Sequence, residues 1–367
     1  MRIALFYFCR FHQRNPDISS SKVNLPHVIF RVDGDSEIGM GHIVRCVRVA
    51  RAIAKEIPVE IIFATRTPET LDAYLKEKKG FEIKSFKDES IDSILGFYAD
   101  YAPQVVVTDA NQGADIDKYV RAVEKVPLHV NIHEMHFEYF PFGIVVFPSI
   151  LPVKKKCACE SKAEYLVGEK YLLIDPRLRT LKPTVIDGKN PIQILVSVGG
   201  ADPGMQTLKV ISAAKELKID ATLAQLKIVV GPAYVKRDSI IKAAEGLSNF
   251  TIINARSSLF DLISESNFVI TNAGTTAYEV LAAGRPSWLL PQNEFENEVA
   301  KLLNSKRAII GFGINGLRED FFFQLDSFRM NPGRINQISE TAQKEIDGKG
   351  VERVAEKIVS ALKAISI

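Results

Sequence analysis

Two successive parts of the chain alternate short runs rich in β-branched residues with segments of helical periodicity. In the first part these runs are HVIFRVD, VEIIFAT and PQVVVTDA, and in the second IQILVSVGG, LKIVVGP and FVITNAG. Short apolar runs separated by amphipathic helices are typical of parallel strands that are buried on both faces. The pattern predicts an α/β fold of two doubly wound, Rossmann-like domains.

A polar segment between the two cycles predicts the domain boundary. The segment YLVGEKYLLIDPRLRTLKPTVIDGKNP contains three prolines and little periodicity, and the second cycle begins directly after it. We therefore expect an N-terminal extension at residues 1–27, a first domain at 28–185 and a second domain at 186–367. A chain of 367 residues is long enough for two domains of ordinary size.

Composition excludes some classes of partner. The net charge is only +3, so bulk electrostatics predict neither nucleic-acid nor membrane-surface binding. No apolar run reaches the roughly 18 residues of a membrane span. The four cysteines, Cys9, Cys46, Cys157 and Cys159, are too few for a disulfide scaffold, and a cytoplasmic location is expected.

Two short patterns could hold a metal, and both have a simpler interpretation. Cys157 and Cys159 form a C-x-C pair without an obvious second pair, and His133 and His136 occur in a segment that also fits an exposed loop. We therefore expect an enzyme without a metal or other cofactor.

A glycine-rich loop is followed directly by a helix at His42. Gly39 and Gly41 would let a ligand approach the backbone, and the helix dipole favours a neutral imidazole that can accept a proton. A general base and a simple helix cap are both open. Arg45, on the same helix face, could contact an anion or form a surface ion pair. Val44 stands where a dinucleotide fingerprint has its third glycine.

The segment TNAGTTAYEVLAAG predicts a second ligand contact. A strand ends at Asn272, Gly274 gives the bend, and Thr275 and Thr276 open a helix whose free amides could hold a diphosphate. Glu279, one turn further on, could accept hydrogen bonds from a ribose diol. Alternatively, Thr275 is the N-cap and Glu279 its capping partner.

Other strand ends carry further candidates, because doubly wound sheets bind ligands at the carboxyl ends of their strands. Gly199 and Gly200 end a buried strand, where paired glycines permit a ligand contact or only form a tight turn. Asp33 and Asp109 end two strands of the first part, and Asp109 could equally cap the next helix.

Five segments, in order, resemble the nucleotide-sugar hydrolases of pseudaminic acid biosynthesis: RVDGDSEIGMGHIVRC, YLVGEKYLLIDPRL, SVGGADP, TNAGTTAYEVLAAGRP and DGKGVERVA. Bacterial spore-coat polysaccharide proteins are close relatives of that family. The second half is also similar to the N-acetylglucosaminyltransferase that makes lipid II. The resemblance implies the GT-B fold, in which two Rossmann-like domains face each other across a cleft.

The resemblance also implies roles for individual residues. His42 would take a proton from the water that attacks the anomeric carbon of a UDP-sugar, releasing UDP and the free sugar. The sugar side would include Asp33, Gly39, Gly41, Arg45, Asp109, Tyr171 and Asn297. The UDP side would include Gly199, Gly200, Asn272, Ala273, Gly274, Thr275, Thr276 and Glu279.

Three departures from the family pattern concern the sugar pocket. TDANQG keeps only Asp109 of a family turn, NIHEMHFEYF replaces an aspartate-rich turn, and the asparagine motif in PQNEFENEVA fits either Asn293 or Asn297. These departures leave the identity of the sugar and of the acceptor open. From the resemblance we expect hydrolysis of a UDP-linked amino or deoxy sugar. The alternatives are a glycosyltransferase with the same donor and a non-catalytic nucleotide-sugar-binding subunit.

Overall fold

The computed structural model describes residues 25–35, 40–75, 81–85, 88, 90–109, 116–132, 140–152, 162–200, 202–231, 234, 236–254 and 258–365. Within these ranges the chain forms two parallel sheets that are flanked by helices. The predicted α/β class with two Rossmann-like domains is confirmed.

The first sheet contains seven parallel strands in the described residues, in the order β3-β2-β1-β4-β5-β6-β7. These are β1 (His27–Val32), β2 (Glu60–Thr65), β3 (Phe81–Ser85), β4 (Val105–Asp109), β5 (Leu128–Ile132), β6 (Ile144–Phe147) and β7 (Glu164–Val167). Its helices are α1 (Gly41–Glu56), α2 (Pro68–Tyr74), α3 (Ile91–Tyr101) and α4 (Ile116–Val123). Strand β7 lies at the start of the polar segment for which the sequence predicts little regular structure.

The second sheet contains six parallel strands in the described residues, in the order β10-β9-β8-β11-β12-β13. These are β8 (Ile192–Ser197), β9 (Ala224–Val230), β10 (Phe250–Asn254), β11 (Phe268–Thr271), β12 (Ser287–Leu289) and β13 (Gly311–Phe312). The helices are α5 (Gln206–Glu216), α6 (Arg237–Ala244), α7 (Phe260–Ser264), α8 (Thr275–Ala282), α9 (Glu294–Ser305), α10 (Ile314–Gly316), α11 (Leu325–Met330) and α12 (Gly333–Glu345).

The last helix, α13 (Gly350–Ile365), returns to the first domain. Its apolar face shares one core with β1 and α1, through Val351, Val354, Ala355, Ile358, Val359 and Leu362. The expected second domain at 186–367 therefore does not describe the packing of this helix. Amphipathic spacing predicted the helix but could not show which core its apolar face meets.

Helix α1 positions His42. Apolar residues at helical spacing, Ile43, Val47, Ala50 and Ile53, are fully buried against the first sheet. Burial of a side chain of this size contributes about 1.5–3 kcal/mol, which fixes the orientation of the helix. His42, in the first turn, stays partly exposed at the carboxyl edge of the sheet.

Candidate functional site

In each sheet the strand order reverses at one point, and the candidate residues lie there. In the first sheet β1 and β4 are neighbours, which places His42, after β1, beside Asp109, the last residue of β4. In the second sheet β8 and β11 are neighbours, which brings together the turns at Gly199 and Asn272. Such reversal points form the crevice in which doubly wound sheets bind ligands.

His42, Asp109 and Arg45 form one cluster. The Nδ1 atom of His42 lies 2.7 Å from Oδ1 of Asp109. Arg45 donates from Nε to Oδ2 of the same carboxylate and from Nη2 to Oδ1, the latter at 2.7 Å. Asp109 and Arg45 are buried, whereas 26% of the His42 side chain is exposed. The cluster therefore presents only the imidazole to solvent.

The hydrogen bonds assign the proton on the imidazole of His42. Nδ1 also lies 2.9 Å from Nη2 of Arg45, a nitrogen with two hydrogens that donates one of them to Asp109. The Asp109 carboxylate can only accept, so its 2.7 Å contact with Nδ1 requires the hydrogen to be on Nδ1. A hydrogen on Nδ1 satisfies the carboxylate, so the lone pair is on Nε2. Nε2 has no hydrogen-bond partner in the described part of the chain and can accept a proton.

Asp109 stays ionised near neutral pH. Burial alone would raise its pKa, but the charge of Arg45 and the hydrogen bonds from His42 and Arg45 outweigh burial and lower the pKa below its ordinary value. Met40, without a side-chain hydrogen bond, is the N-cap of α1. The capping alternative for His42 therefore does not describe the structure, which pairs its side chain with Asp109.

Asp33 lies at the carboxyl edge of the first sheet but its oxygens are used by the protein itself. Arg31 donates to both oxygens at 2.7 and 2.8 Å, and Arg66 donates from its backbone N at 2.7 Å and from Nε at 2.9 Å. Burial opposes ionisation, yet these donors lower its pKa to about 2. Asp33 is thus ionised at neutral pH and holds the ends of β1 and β2 together.

The turn after β11 begins α8 without a side-chain cap. Gly274 is the N-cap and has no side chain that could cap the helix. The alternative with Thr275 as N-cap is therefore wrong. A Cβ at Gly274 would lie 3.0 Å from Nδ2 of Asn272, which explains why glycine fits this position. The N-terminus of α8 therefore has no side-chain cap, an arrangement that suits the binding of an anion by the first backbone amides.

Glu296 joins the loops of the second sheet. Its Oε1 accepts from Nδ2 of Asn272 at 2.7 Å, and its Oε2 accepts from the backbone N of Gln292 at 2.8 Å. Gln292 in turn donates from Nε2 to the carbonyl of Val198 at 2.9 Å. The buried Glu296 carboxylate therefore holds the turns after β8, β11 and β12 in one arrangement.

The Gly199–Gly200 turn is shaped by glycine. Gly199 has φ +79°, in the left-handed region that favours glycine. At Gly231, a Cβ would lie 2.1 Å from the carbonyl oxygen of Gly200, so this turn and the end of β9 are in direct backbone contact.

A cleft cavity of about 120 Å³ joins the two domains. Pro148 and Ser149, which follow β6, form the first-domain wall, and the second domain contributes Ala273, Gly274, Thr275, Tyr278, Asn293, Phe295 and Glu296. Asn293 caps α9 by accepting a hydrogen bond from the backbone of Glu296, whereas Asn297 lies inside α9 and does not line the cavity. Of the two candidates from the sequence, Asn293 lines this cavity, and the predicted role of Asn297 stays a prediction.

An ion pair also crosses between the domains. Nη2 of Arg48, in α1, lies 2.7 Å from Oε1 of Glu279, in α8, and 14% and 10% of the two side chains are exposed. Arg48 also donates from Nη1 to the carbonyl of Leu173 at 3.0 Å. Glu279 is therefore not a capping partner of Thr275. Its Oε2 has no hydrogen-bond partner in the described residues.

Tyr171 and Gly41 are two further predicted site residues that the structure describes. Tyr171 lies in a 3-10 turn, Glu169–Tyr171, that packs against α13, and it makes no hydrogen bond with the His42 cluster. Gly41 is exposed, and no atom of the described residues lies within 4 Å of a Cβ placed there. Gly39, His133, His136, Cys157 and Cys159 lie outside the described residues.

Two features are absent from the described residues. No group of three or more His, Cys, Asp or Glu side chains could hold a metal ion. No helix in these ranges combines the length and the apolar character needed to cross a bilayer.

Sequence reasoning missed Arg48, Gln292 and Glu296. The spacing Asn293-x-x-Glu296 is that of a capping box and could have drawn attention to Glu296. No local signal identifies Arg48, because its partner is 231 positions away.

No protein-family model matches the chain. It is 26% identical over 311 residues to the uncharacterized protein MJ1062 of Methanocaldococcus jannaschii, a match that covers 82% of this chain and 63% of that protein. It is 22% identical over 344 residues to the spore coat polysaccharide biosynthesis protein SpsG of Bacillus subtilis, covering 89% of this chain and 96% of SpsG. The chain thus spans less than two thirds of MJ1062 and nearly all of SpsG.

Solved structures share the fold. MurG of Acinetobacter baumannii matches with a TM-score of 0.60 at 15% identity, over 91% of this chain and 99% of MurG. The UDP-GlcNAc 2-epimerase of Neisseria meningitidis bound to UDP-GlcNAc matches with a TM-score of 0.57 at 14% identity, over 91% of this chain and 100% of the epimerase. A UDP-glucosyltransferase of Polygonum tinctorium matches with a TM-score of 0.61 at 12% identity, over 92% of this chain and 99% of that protein. The predicted GT-B fold is confirmed.

Proposed function

We propose that the protein is an enzyme that transfers the sugar of a nucleotide-sugar donor, with UDP as the nucleotide, to a hydroxyl acceptor. The observation that carries the proposal is the pairing of His42 with Asp109 at a partly exposed helix start. The names of the matched glycosyltransferases, and the polysaccharide role in the name of SpsG, support this chemistry.

In the proposed reaction His42 is the general base. The acceptor O–H donates its proton to Nε2 of His42 while its oxygen forms a bond to the anomeric carbon, and the bond from that carbon to the UDP oxygen breaks. Asp109 holds the ring and stabilises the imidazolium that forms, and Arg45 positions Asp109. A base of this kind contributes roughly 10²–10⁴-fold to the rate.

The second domain would hold the nucleotide. The uncapped start of α8 at Gly274, Thr275 and Thr276 would receive the diphosphate, so that its amides stabilise the charge of the departing UDP. Glu279 would accept the ribose hydroxyls, through its unused Oε2 or after release from Arg48. Asn272 and Gly199 would shape the turns around the phosphates.

Hydrolysis of the same donor is the second candidate. Gly41, His42 and Arg45 fit the motif of the hydrolases of pseudaminic acid biosynthesis, and the same base could activate water instead of a hydroxyl. A UDP-linked amino or deoxy sugar would then yield UDP and the free sugar.

Product analysis separates these functions. The protein is incubated with a panel of UDP-sugars, with and without a mixture of sugar acceptors, and the products are followed by NMR. Turnover that requires an acceptor supports transfer, and UDP with free sugar in its absence supports hydrolysis. Tight UDP binding with neither product would contradict both and indicate a binding subunit.

A further inference from the structure

A second cavity, of about 510 Å³, lies beside α1. We call it the linker cavity. Its polar lining includes Arg48, Arg51 and Lys55 of α1, Tyr74 of α2, and Asp175 and Arg177 of the segment that joins the two sheets. Its volume is within the range of small-molecule sites, roughly 300–1,000 Å³.

The acidic groups of this lining are largely neutralised. Arg177 donates from Nη2 to Oδ2 of Asp175 at 2.6 Å and from Nε to Oδ1 at 3.0 Å. Glu352, on the α13 wall, accepts from Arg179 at 2.7 Å. Within the described lining, Glu56 is the one acid without an ionic partner.

Two cations of the lining have no ionic partner in the described residues. Arg51 and Lys55 are four positions apart, so their side chains lie on the same face of α1. Burial raises the pKa of the neighbouring Tyr74, which keeps its hydroxyl protonated as a donor. The two positive charges of Arg51 and Lys55 exceed the single negative charge of Glu56, and Tyr74 adds a hydrogen-bond donor. This part of the lining therefore attracts a small anion.

Arg48 connects this cavity with the proposed nucleotide site. It lines the cavity, and its guanidinium also holds Oε1 of Glu279 at 2.7 Å. An anion bound beside Arg51 would attract the same guanidinium and compete with Glu279. Release of Glu279 would free its whole carboxylate.

We propose that the linker cavity binds a small phosphorylated metabolite through Arg48, Arg51 and Lys55, and that this binding releases Glu279 for the ribose of the nucleotide. The coupling step rests on the proposed function of Glu279. Reciprocity of binding then requires UDP to increase the affinity for the anion by the same factor.

Calorimetric titration with inorganic phosphate at constant ionic strength tests the site. The variant R51Q/K55Q changes two exposed positions, and K215Q/K242Q, on exposed faces of α5 and α6, removes the same charge elsewhere. We expect at least tenfold weaker phosphate binding in R51Q/K55Q and wild-type affinity in the control. Equal affinity in the two variants, or no phosphate binding to the wild type, would overturn the site.

UDP titration with and without phosphate tests the coupling. We expect phosphate to strengthen UDP binding at least threefold in the wild type and to have no effect in R51Q/K55Q. Unchanged or weaker UDP binding in the presence of phosphate would overturn the coupling. If UDP does not bind at all, the proposed function fails, whereas the phosphate result still decides the site.

Discussion

Arg48 and Glu279 join the two domains through a nearly buried ion pair with an N–O distance of 2.7 Å. Arg48 is on the helix that starts with the proposed base, and Glu279 is on the helix that starts at the proposed phosphate turn. The pair therefore ties together the two elements that would act on opposite ends of one substrate.

We expect loss of either partner of this pair to destabilise the protein. R48Q or E279Q leaves the other charge buried without compensation, which costs roughly 3 kcal/mol, and the double variant should recover part of that loss. Urea unfolding of the four proteins measures the coupling. The exposed pair Arg318–Glu216 is the control, since R318Q should cost less than about 1 kcal/mol. Equal losses of stability in R48Q and R318Q would contradict a stabilising role for the nearly buried Arg48–Glu279 pair.

His42 and Asp109 should affect turnover much more than nucleotide binding. H42Q removes the base, and D109N removes the negative charge that stabilises the imidazolium together with one of the two oxygens that His42 and Arg45 share, so we expect kcat to fall roughly 10²–10⁴-fold in each. The UDP affinity should stay within a few-fold, because UDP would bind to the other domain. Steady-state kinetics and UDP titration give both values, and a parallel loss of UDP affinity would show that His42 is structural.

Asp33 should make the stability depend on pH. Its pKa is about 2 in the folded protein against an ordinary 3.8, so its contribution is present above about pH 4 and is lost as the pH falls through 2. The shift corresponds to about 2 kcal/mol, of which roughly half should be lost at pH 3. Denaturant unfolding of the wild type and D33N at pH 7 and pH 3 tests this. A difference between the two proteins that is the same at both pH values would contradict it.

Much of the fold could be predicted because its signals are local. The strands β1, β4, β8 and β11 are apolar runs next to glycine turns or aspartates, and their candidate residues lie where ligands bind such sheets. That His42 reaches Asp109 was not predictable from spacing, because it depends on β1 and β4 being neighbours in the sheet.

The contacts that the sequence could not predict are made over long distances in the chain. In the sequence Arg48 does not differ from the other arginines of α1, and only the approach of α8 gives it an ionic partner. Helix α13 has regular amphipathic spacing, which is equally compatible with either core. Such choices depend on tertiary packing rather than on propensity.

Glu296 should hold the turns of the proposed nucleotide site in place without taking part in the reaction at His42. E296Q leaves one acceptor oxygen for the two donors from Asn272 and Gln292 and turns an N–H group towards one of them. An unsatisfied buried group costs about 1–3 kcal/mol, so we expect lower stability and roughly tenfold weaker UDP binding. E298Q, which changes an exposed position of the same helix, is the control. Urea unfolding and UDP titration are the measurements, and wild-type UDP affinity in E296Q would show that these turns do not hold the nucleotide.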